Sequence, residues 1–403
     1  MKKKFVAMIM TAALAATALA GCGASGDAGA AAPASDKKEE AASSASAEGA
    51  TFKIGAIGPL TGGAAVYGNA VANAAQIAVD EINAAGGING YQVEYRAEDD
   101  EHDAEKSVNA YNTLKDWGCQ ILDGTTTSAP CLAVAEKTAK DNMFQITPSG
   151  SAVECVQHDN VFRVCFSDPD QGIASADYMA LNKLGTKIGV IYNSSDVYSS
   201  GIEAKFMEEA ANEGLDVFDP QAFTDDSSTD FSAQLQNIKA AGCDVVFLPI
   251  YYEAATIILT QANQMGYEPV FFGCDGLDGI LAMENFDVAL AEDVMLLTPF
   301  VADADDDLTK NFVKLYQDAY GEIPNQFAAD SYDAIYAIKA AAEDQNVTPD
   351  MSVSDICEAL KKGMTNITMA GLTGDEITWN ASGEPNKTPK AMIIKDGKYV
   401  SAD

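Results

Sequence analysis

Short polar segments that directly follow apolar runs are the places in this sequence where chemistry could occur. Ser128 follows the apolar run 120–123 and opens a helical pattern, so its hydroxyl and the nearby amides would favour an anion such as a carboxylate. Ser149, Gly150 and Ser151 follow a second run and add hydroxyls and amides around a glycine that permits close approach. Helix capping and turn formation are the alternative roles of these serines.

Asp275 is the acidic counterpart of these hydroxyls. It follows the apolar run 270–273 and has no basic residue near it in the sequence, so its carboxylate needs a cation or water as a partner. The alternative is an exposed loop carboxylate in an acidic chain. The sequence therefore contains candidates for binding both a negative and a positive group.

Alternating strand-like and helix-like segments must position these residues. The alternation restarts after Asp168, which predicts an α/β fold of two doubly wound, Rossmann-like lobes. The carboxyl ends of the strands in two such sheets would face a common cleft. The predicted strands are 51–58, 91–98, 120–123, 143–147, 187–192, 216–223, 244–249 and 270–273, and the predicted helices are 68–85, 104–117, 131–141, 173–184, 201–213, 231–241 and 254–265.

The N-terminal residues have the pattern of an export signal. A cationic start, residues 1–4, precedes an apolar run, residues 5–20, that is too short for a stable membrane span. The run ends in Leu-Ala-Gly-Cys, which resembles the bacterial lipobox and predicts lipidation of Cys22 after removal of residues 1–21. Residues 22–50 are rich in Ala, Ser and Gly and are expected to form a flexible tether. An ordinary signal peptide is the alternative.

The charge and the motif content exclude several classes of function. The chain of 403 residues has 60 acidic and 25 basic residues and a formal charge of −35, which disfavours binding to nucleic acid or anionic lipid. It has two arginines, so an anion would be bound by hydroxyls and amides. With two histidines and no GxSxG, GxGxxG or GxxxxGK pattern, neither an enzyme nor a nucleotide-binding protein is expected.

No metal or cofactor is expected either. The acidic run 98–103 lacks the glycine and the spacing of a calcium loop, and we interpret it as solvated charge. Seven cysteines follow Cys22 without a CxxC pair, which disfavours a zinc site. We expect small buried thiols and at most one disulfide, for which Cys155 and Cys165 are the candidate pair.

Several motifs together resemble one known family. They include GPLTG at 58–62, AVDEINAAGGINGYQVE at 78–94, ITPS at 146–149 and GCDG at 273–276. From about Thr51 onward, the chain resembles the branched-chain amino-acid binding proteins of ABC importers, which have the type I periplasmic-binding-protein fold. The resemblance implies three hinge crossovers, with lobe 1 formed by 51–168 plus 299–376 and lobe 2 by 169–298 plus 377–403.

The resemblance also assigns roles to the candidate residues. It implies that Ser128, Ser149, Gly150 and Ser151 hold the α-carboxylate and α-ammonium of an amino acid, with Asp275 as the counter-ion of the ammonium. The family often has Glu at this last position, which leaves the exact ligand open. Aromatic residues at matching positions line the pocket: Tyr67, Tyr198, Tyr251, with Tyr252 as the alternative to Tyr251, and, less specifically, Phe327.

The sequence as a whole predicts an extracytoplasmic solute-binding lipoprotein. We expect a monomer, anchored to the cell membrane by its N-terminal lipid, that traps an amino acid between two lobes and delivers it to the membrane permease of an ABC importer. A branched-chain or aliphatic amino acid is the family default. A ligand-sensing module coupled to a membrane receptor or kinase, and an extracytoplasmic enzyme, are the alternatives.

Overall fold

The computed structural model of the protein describes residues 49–402. The predicted signal peptide, the predicted lipidation site Cys22 and nearly all of the predicted tether lie outside the described residues. Within residues 49–402, no helix combines the length and the apolar character needed to cross a membrane.

The first sheet has five parallel strands in the order β2-β1-β3-β4-β5. The interior strands β3 and β4 are buried throughout, which explains their short apolar sequences. The strands are β1 (Phe52–Gly58), β2 (Val93–Asp99), β3 (Ile121–Gly124), β4 (Phe144–Thr147) and β5 (Val161–Arg163), connected by the helices α1 (Ala65–Ala84), α2 (Ala104–Trp117) and α3 (Ser128–Asp141).

The second sheet repeats this arrangement and extends it. Its strand order is β14-β13-β10-β9-β8-β6-β7, in which β6 to β10 are parallel and the C-terminal hairpin is antiparallel. The strands are β6 (Ile188–Asn193), β7 (Gln221–Phe223), β8 (Val245–Leu248), β9 (Val270–Gly273), β10 (Met295–Thr298), β13 (Lys390–Lys395) and β14 (Lys398–Ser401), and the helices are α4 (Asp168–Asn182), α5 (Val197–Glu213), α6 (Ser232–Ala240) and α7 (Tyr252–Gln264).

The chain passes between the two sheets three times, at 164–167, 299–306 and 378–389. The second passage leads back to helices that pack on α1 and β4, and the third returns the chain to β13. A buried ion pair holds the third passage, where Lys387 Nζ lies 2.7 Å from Asp330 Oδ1. The returning elements are α8 (Asp307–Tyr320), α9 (Gln326–Asp344), α10 (Val353–Met364) and the hairpin β11 (Met369–Gly371) and β12 (Gly374–Ile377).

The predicted fold class of two doubly wound lobes joined by three crossovers is confirmed. The observed bounds of some helices and strands differ from the predicted ones. The helix predicted to begin at residue 173 begins at Asp168, because the Ser167 side chain and Asp170 form a reciprocal capping box around Pro169. The strand predicted over 216–223 is shorter, Gln221–Phe223, since Pro220 interrupts its backbone donors.

The predicted disulfide between Cys155 and Cys165 is wrong. All seven cysteines within residues 49–402 are free thiols, and all are buried. Cys155 packs with Cys131 and Ala152 in a small apolar cluster beside α3, and its thiol faces the Ser128 carbonyl oxygen at 3.7 Å. The turn between the two predicted partners therefore packs Cys155 against α3 and not against Cys165.

Candidate functional site

The loop between β3 and α3 forms one wall of a cavity between the two sheets. The Thr125 hydroxyl donates to the Thr127 carbonyl at 3.0 Å, and the Thr147 hydroxyl donates to the Thr125 carbonyl at 2.6 Å. These bonds hold the loop against the end of β4. The two following residues, Thr126 and Thr127, line the cavity.

Ser128 connects this loop to the next. It is the first residue of α3, and its Oγ accepts hydrogen bonds from the backbone N–H groups of Ser151, at 3.2 Å, and Ala152, at 3.1 Å. The side chain therefore does not cap its own helix, the alternative raised by the sequence. Its hydroxyl proton remains available to an acceptor.

The loop 149–151 is packed too tightly for a larger residue at its centre. The Gly150 N–H donates to Thr147 Oγ1 at 2.7 Å. A Cβ atom at Gly150 would lie 2.7 Å from the same oxygen and 3.0 Å from Cys131 Sγ, so only glycine fits without displacement. Ser149 Oγ donates to the Thr126 carbonyl, whereas the buried Ser151 Oγ has no hydrogen-bond partner among the described residues.

Arg163 supports this loop from behind. Its guanidinium is fully buried and donates to the carbonyl oxygens of Gly150, at 3.3 Å, and Ser151. It also pairs with Glu384 of the third passage, with Nε 3.0 Å from Oε2. The arginine thus fixes loop backbone and joins a crossover to it, while the cavity wall is left to hydroxyls and amides.

Asp275 lies on the opposite side of the cavity, in the turn after β9. Its Oδ1 accepts a hydrogen bond from Tyr198 Oη at 2.6 Å, and its N–H donates to Gln171 Oε1 at 3.0 Å. The side chain is buried, and within residues 49–402 no lysine or arginine forms an ion pair with it. Burial raises the pKa of Asp275 to about 6, although the hydrogen bond from the Tyr198 hydroxyl and the nearby Gln171 side chain oppose that rise.

Four aromatic rings close the cavity from both sides. Tyr67 of α1 and Phe327 of α9 lie with ring centroids 4.3 Å apart. Tyr198 of α5 stacks on Tyr251 at 4.7 Å with nearly parallel planes. Tyr67 meets Tyr251 edge to face at 5.6 Å, so the two pairs are in contact across the cavity. An occupant must therefore separate these rings.

The structure distinguishes Tyr251 from Tyr252. Tyr251 lines the cavity, whereas Tyr252 begins α7 and packs behind it, with its Oη accepting from the Val66 N–H at 3.3 Å. The Tyr67 hydroxyl accepts from the Tyr252 N–H at 3.1 Å and donates to the Gly276 carbonyl. Tyr67 is thus joined by hydrogen bonds to the opposite side of the cavity.

The sequence-predicted residues converge on one place. Six of them line the cavity between the sheets, and Ser128, Gly150 and Ser151 belong to the loops that form one of its walls. Three further lining residues were missed. The six predicted residues are Tyr67, Ser149, Tyr198, Tyr251, Asp275 and Phe327, and the missed ones are Thr126, Thr127 and Gly276.

The run of three threonines before Ser128 could have indicated two of the missed lining residues, Thr126 and Thr127.

His102 contacts two of the lining residues and was not among the residues predicted from the sequence. Its Nδ1 lies 2.8 Å from Thr127 Oγ1, and its ring meets Tyr251 edge to face at 5.4 Å. Burial lowers the pKa of His102, while the nearby carboxylates of Asp225 and Asp103 act in the opposite direction.

The sequence predicted that the acidic run 98–103 is solvated charge, and the structure shows that this does not fully describe three of its carboxylates. Asp99 accepts from the Leu60 N–H at 2.8 Å and from the Thr61 hydroxyl at 2.6 Å, so it organises the loop after β1. Asp100 is buried, and burial raises its pKa to about 7. Asp103 caps α2. These carboxylates have structural roles at the edge of the first sheet.

The fold and the cavity together define a class of protein. Two α/β lobes, each with five parallel strands in the same order, are joined by three crossovers and enclose a polar and aromatic cavity between them. This is the type I periplasmic-binding-protein architecture.

Comparison with known proteins gives the same result in more detail. The family model described as periplasmic binding protein matches residues 51–398. The Leu/Ile/Val-binding protein homolog 3 of Brucella melitensis is 28% identical over 369 residues, which cover 89% of this chain and 95% of the relative. The Leu/Ile/Val-binding protein BraC3 of Rhizobium johnstonii is also 28% identical, over 88% of this chain and 94% of its own.

Solved structures agree. LivJ of Streptococcus pneumoniae, a branched-chain amino acid transporter substrate-binding protein in complex with isoleucine, superposes with a TM-score of 0.79 at 26% identity, over 87% of this chain and 98% of LivJ. The leucine-binding protein LivK of Thermotoga maritima gives 0.78 at 25% identity, over 88% and 98%. The chain belongs to the periplasmic binding protein family, and its resemblance to the branched-chain amino-acid binding proteins is confirmed.

Proposed function

We propose that the protein is the extracytoplasmic solute-binding lipoprotein of an ABC importer and binds an α-amino acid in the cavity between its lobes. The observation that carries the proposal is the placement of the hydroxyl- and amide-bearing loops of the first sheet opposite the buried carboxylate of Asp275, which has no cationic partner among residues 49–402. An α-amino acid has a carboxylate and an ammonium on the same carbon, and these two walls offer complementary partners to both.

The carboxylate end fits the first-sheet wall. Ser128 lies at the N-terminus of α3, where unpaired backbone N–H groups and the helix dipole favour negative charge. Its free hydroxyl proton and the Ser151 hydroxyl, which has no hydrogen-bond partner among the described residues, add donors. No guanidinium is required, since Arg163 is committed to the loop carbonyls and Glu384.

The ammonium end fits Asp275, whose buried carboxylate has no cationic partner among residues 49–402. A ligand ammonium would supply the missing charge. The four aromatic rings would surround the ligand side chain with apolar faces, which favours an aliphatic side chain over a charged one. The names of the relatives, Leu/Ile/Val-binding proteins, support a branched-chain amino acid.

The contacts across the cavity support binding by closure of two lobes. Tyr67 is bonded to Gly276 and Tyr252 on the opposite side, so a ligand can enter only when these bonds open. We take the lobes as 51–168 plus 299–376 and 169–298 plus 377–403. A ligand that contacts both lobes shifts the equilibrium toward the closed form, and the permease would recognise that form.

We propose that Cys22 carries a lipid that holds a monomer at the outer face of the cell membrane, with residues 22–50 as its tether. Mass spectrometry of the membrane-extracted protein tests this directly. An N-terminus at lipid-modified Cys22 is expected, and an unmodified Cys22 would contradict the anchor while leaving the binding function intact.

Calorimetry with the detergent-solubilised mature protein tests the binding function. L-leucine, L-isoleucine and L-valine are expected to bind. 4-Methyl-2-oxopentanoate, which lacks the ammonium, and L-leucinamide, which lacks the carboxylate, are expected to bind at least about 100-fold more weakly. The first leaves the buried Asp275 carboxylate without a cation, and the second leaves the donors of the first-sheet wall without an anion. If none of the twenty amino acids binds, the proposed function is wrong.

A further inference from the structure

Asp168 is a second buried carboxylate beside the candidate site. It is the first residue of α4, directly after the first passage between the sheets, and only 1% of its surface is exposed. Neither of its carboxylate oxygens has a hydrogen-bond partner among the described residues. The capping of α4 is performed by Ser167 and Asp170, so Asp168 is not needed for that purpose.

The position of Asp168 links the two walls of the cavity. Its N–H donates to the Ser151 carbonyl at 2.9 Å. On the other side, a Cβ atom at Gly201 of α5 would lie 3.3 Å from Asp168 Oδ2. The titratable and charged groups that interact with it electrostatically come from several elements: Cys155, Arg163, Asp196, Tyr251, Cys274 and Asp275.

These neighbours do not supply a free positive charge that would balance the Asp168 carboxylate. Arg163 is the one cation among them, and it is already paired with Glu384. Burial, together with the carboxylates of Asp275 and Asp196, raises the pKa of Asp168 well above its ordinary value, although the adjacent Ser151 hydroxyl and the Arg163 guanidinium oppose the rise. A buried carboxyl group without a well-formed hydrogen bond is rare in folded proteins and calls for an explanation.

Two further polar atoms close by lack partners as well. Ser151 Oγ and Gln171 Nε2 are buried without a hydrogen bond in good geometry. Ser151 adjoins Asp168 through the backbone, and the Gln171 side chain accepts from the Asp275 N–H at 3.0 Å. Asp168 thus contacts the loop 149–151, and Gln171, one turn further along α4, contacts Asp275, so the first turn of α4 joins the two walls that would hold the ligand in the proposed function.

We propose that Asp168 is a second carboxylate of the ligand site and shares the ligand's ammonium group with Asp275. An ammonium group has three N–H donors, so it can serve two carboxylates at once. This inference rests on the proposed function and narrows the ligand class to solutes with a protonated primary amine. Ligands with a substituted nitrogen would lose a donor and bind more weakly.

The variant Asp168→Asn tests the inference with little change of shape. Its affinity for L-leucine is expected to fall at least tenfold in calorimetry, and its preference for leucine over N-methyl-leucine is expected to shrink. The melting temperature of the ligand-free variant is expected to stay the same or to rise, because an uncompensated buried carboxyl group has been removed. Loss of function without loss of stability is the expected pattern.

Asp333→Asn provides a matched control. Asp333 is also buried, but it accepts from the Leu372 and Thr373 N–H groups at the β11–β12 turn and does not line the cavity. Its replacement is expected to lower the melting temperature and to leave the leucine affinity unchanged. A second readout is proton release on binding, measured by calorimetry in buffers of different ionisation heat, which should be smaller in Asp168→Asn than in the wild type.

The outcomes separate the inference from the function on which it rests. Wild-type binding of leucine together with unchanged affinity in Asp168→Asn would overturn the role of Asp168 alone. A lowered melting temperature with unchanged affinity would show a purely structural role and would overturn it too. If the wild-type protein binds no amino acid, the proposed function itself fails.

Discussion

The hydroxyl of Tyr67, on the first-sheet side of the cavity, donates a hydrogen bond to the backbone carbonyl of Gly276 on the second-sheet side. The same oxygen accepts from the Tyr252 N–H at 3.1 Å. One side chain thus joins the two halves of the molecule next to Asp275, and burial raises the pKa of Tyr67 well above its ordinary value, so the phenol stays protonated.

Replacement of Tyr67 by Phe is expected to weaken leucine binding by roughly five- to 150-fold, because two hydrogen bonds would be lost. The ring would remain, but the hydrogen bonds that favour the closed form would be lost, each contributing about 0.5–1.5 kcal/mol. Calorimetry measures the affinity, and small-angle X-ray scattering is expected to show a more open ligand-free protein. Tyr111→Phe is the control, because its hydroxyl bonds to Asp141 away from the cavity. Equal affinity in both variants would contradict a role of Tyr67 in closure.

Replacement of Asp275 by Ala is expected to reduce amino-acid affinity at least about 100-fold, since the ligand ammonium would lose its buried counter-charge. The circular dichroism spectrum should be unchanged. Asp303→Asn, an exposed carboxylate on the second passage, should bind like the wild type. Unchanged affinity in Asp275→Ala would remove this residue from the proposed site.

Replacement of Arg163 by Gln is expected to destabilise the protein strongly. It would leave the carbonyls of Gly150 and Ser151 and the carboxylate of Glu384 without their donor, and breaking a buried pair in this way costs about 3–5 kcal/mol. Urea unfolding measures the loss. Glu384→Gln should cost less, because Glu384 is 30% exposed. A smaller effect in Arg163→Gln than in Glu384→Gln would contradict the supporting role.

The ligand-free protein is expected to become more stable as the pH falls from 8 to about 5.5. Burial raises the pKa values of six aspartates from 3.8 to about 6 or 7, so the folded state binds protons more tightly than the unfolded chain. Stability therefore increases as the pH falls through these values and decreases as it rises through them. The six are Asp100, Asp123, Asp196, Asp275, Asp278 and Asp330.

His102 acts in the opposite direction, because its pKa is lowered by burial, but it is one group against six. Differential scanning fluorimetry across this pH range tests the prediction. A melting temperature that decreases steadily as the pH is lowered from 8 to 5.5 would contradict it. Asp123→Asn should reduce the pH dependence between 8 and 6, since Asp123 is buried with a single hydrogen-bond donor, the Ser331 hydroxyl at 3.0 Å.

Local sequence patterns predicted most of the elements. The apolar runs that became β3, β4, β8 and β9 are buried in the sheets, and α2 has the bounds that its periodicity indicated. The start of α4 was placed too late, at 173, because its first turn is polar and is fixed by the capping contacts of Ser167 and Asp170. The start of α3 was also placed too late, at 131, although no side chain caps that helix. The position of Asp275 after β9 was predictable because polar residues at strand ends face the cleft in this fold.

The sequence by itself determined the α/β class, the existence of two lobes and the residues at the strand ends that could meet a ligand, since these follow from periodicity and chain order. Tertiary structure alone decided that Tyr251 and not Tyr252 lines the cavity, that Ser128 binds the loop at 151–152, that Cys155 packs beside Cys131, and that Asp168 is buried between the lobes without a partner. Burial and pairing depend on which distant segments come together, and chain-local patterns carry no record of those contacts.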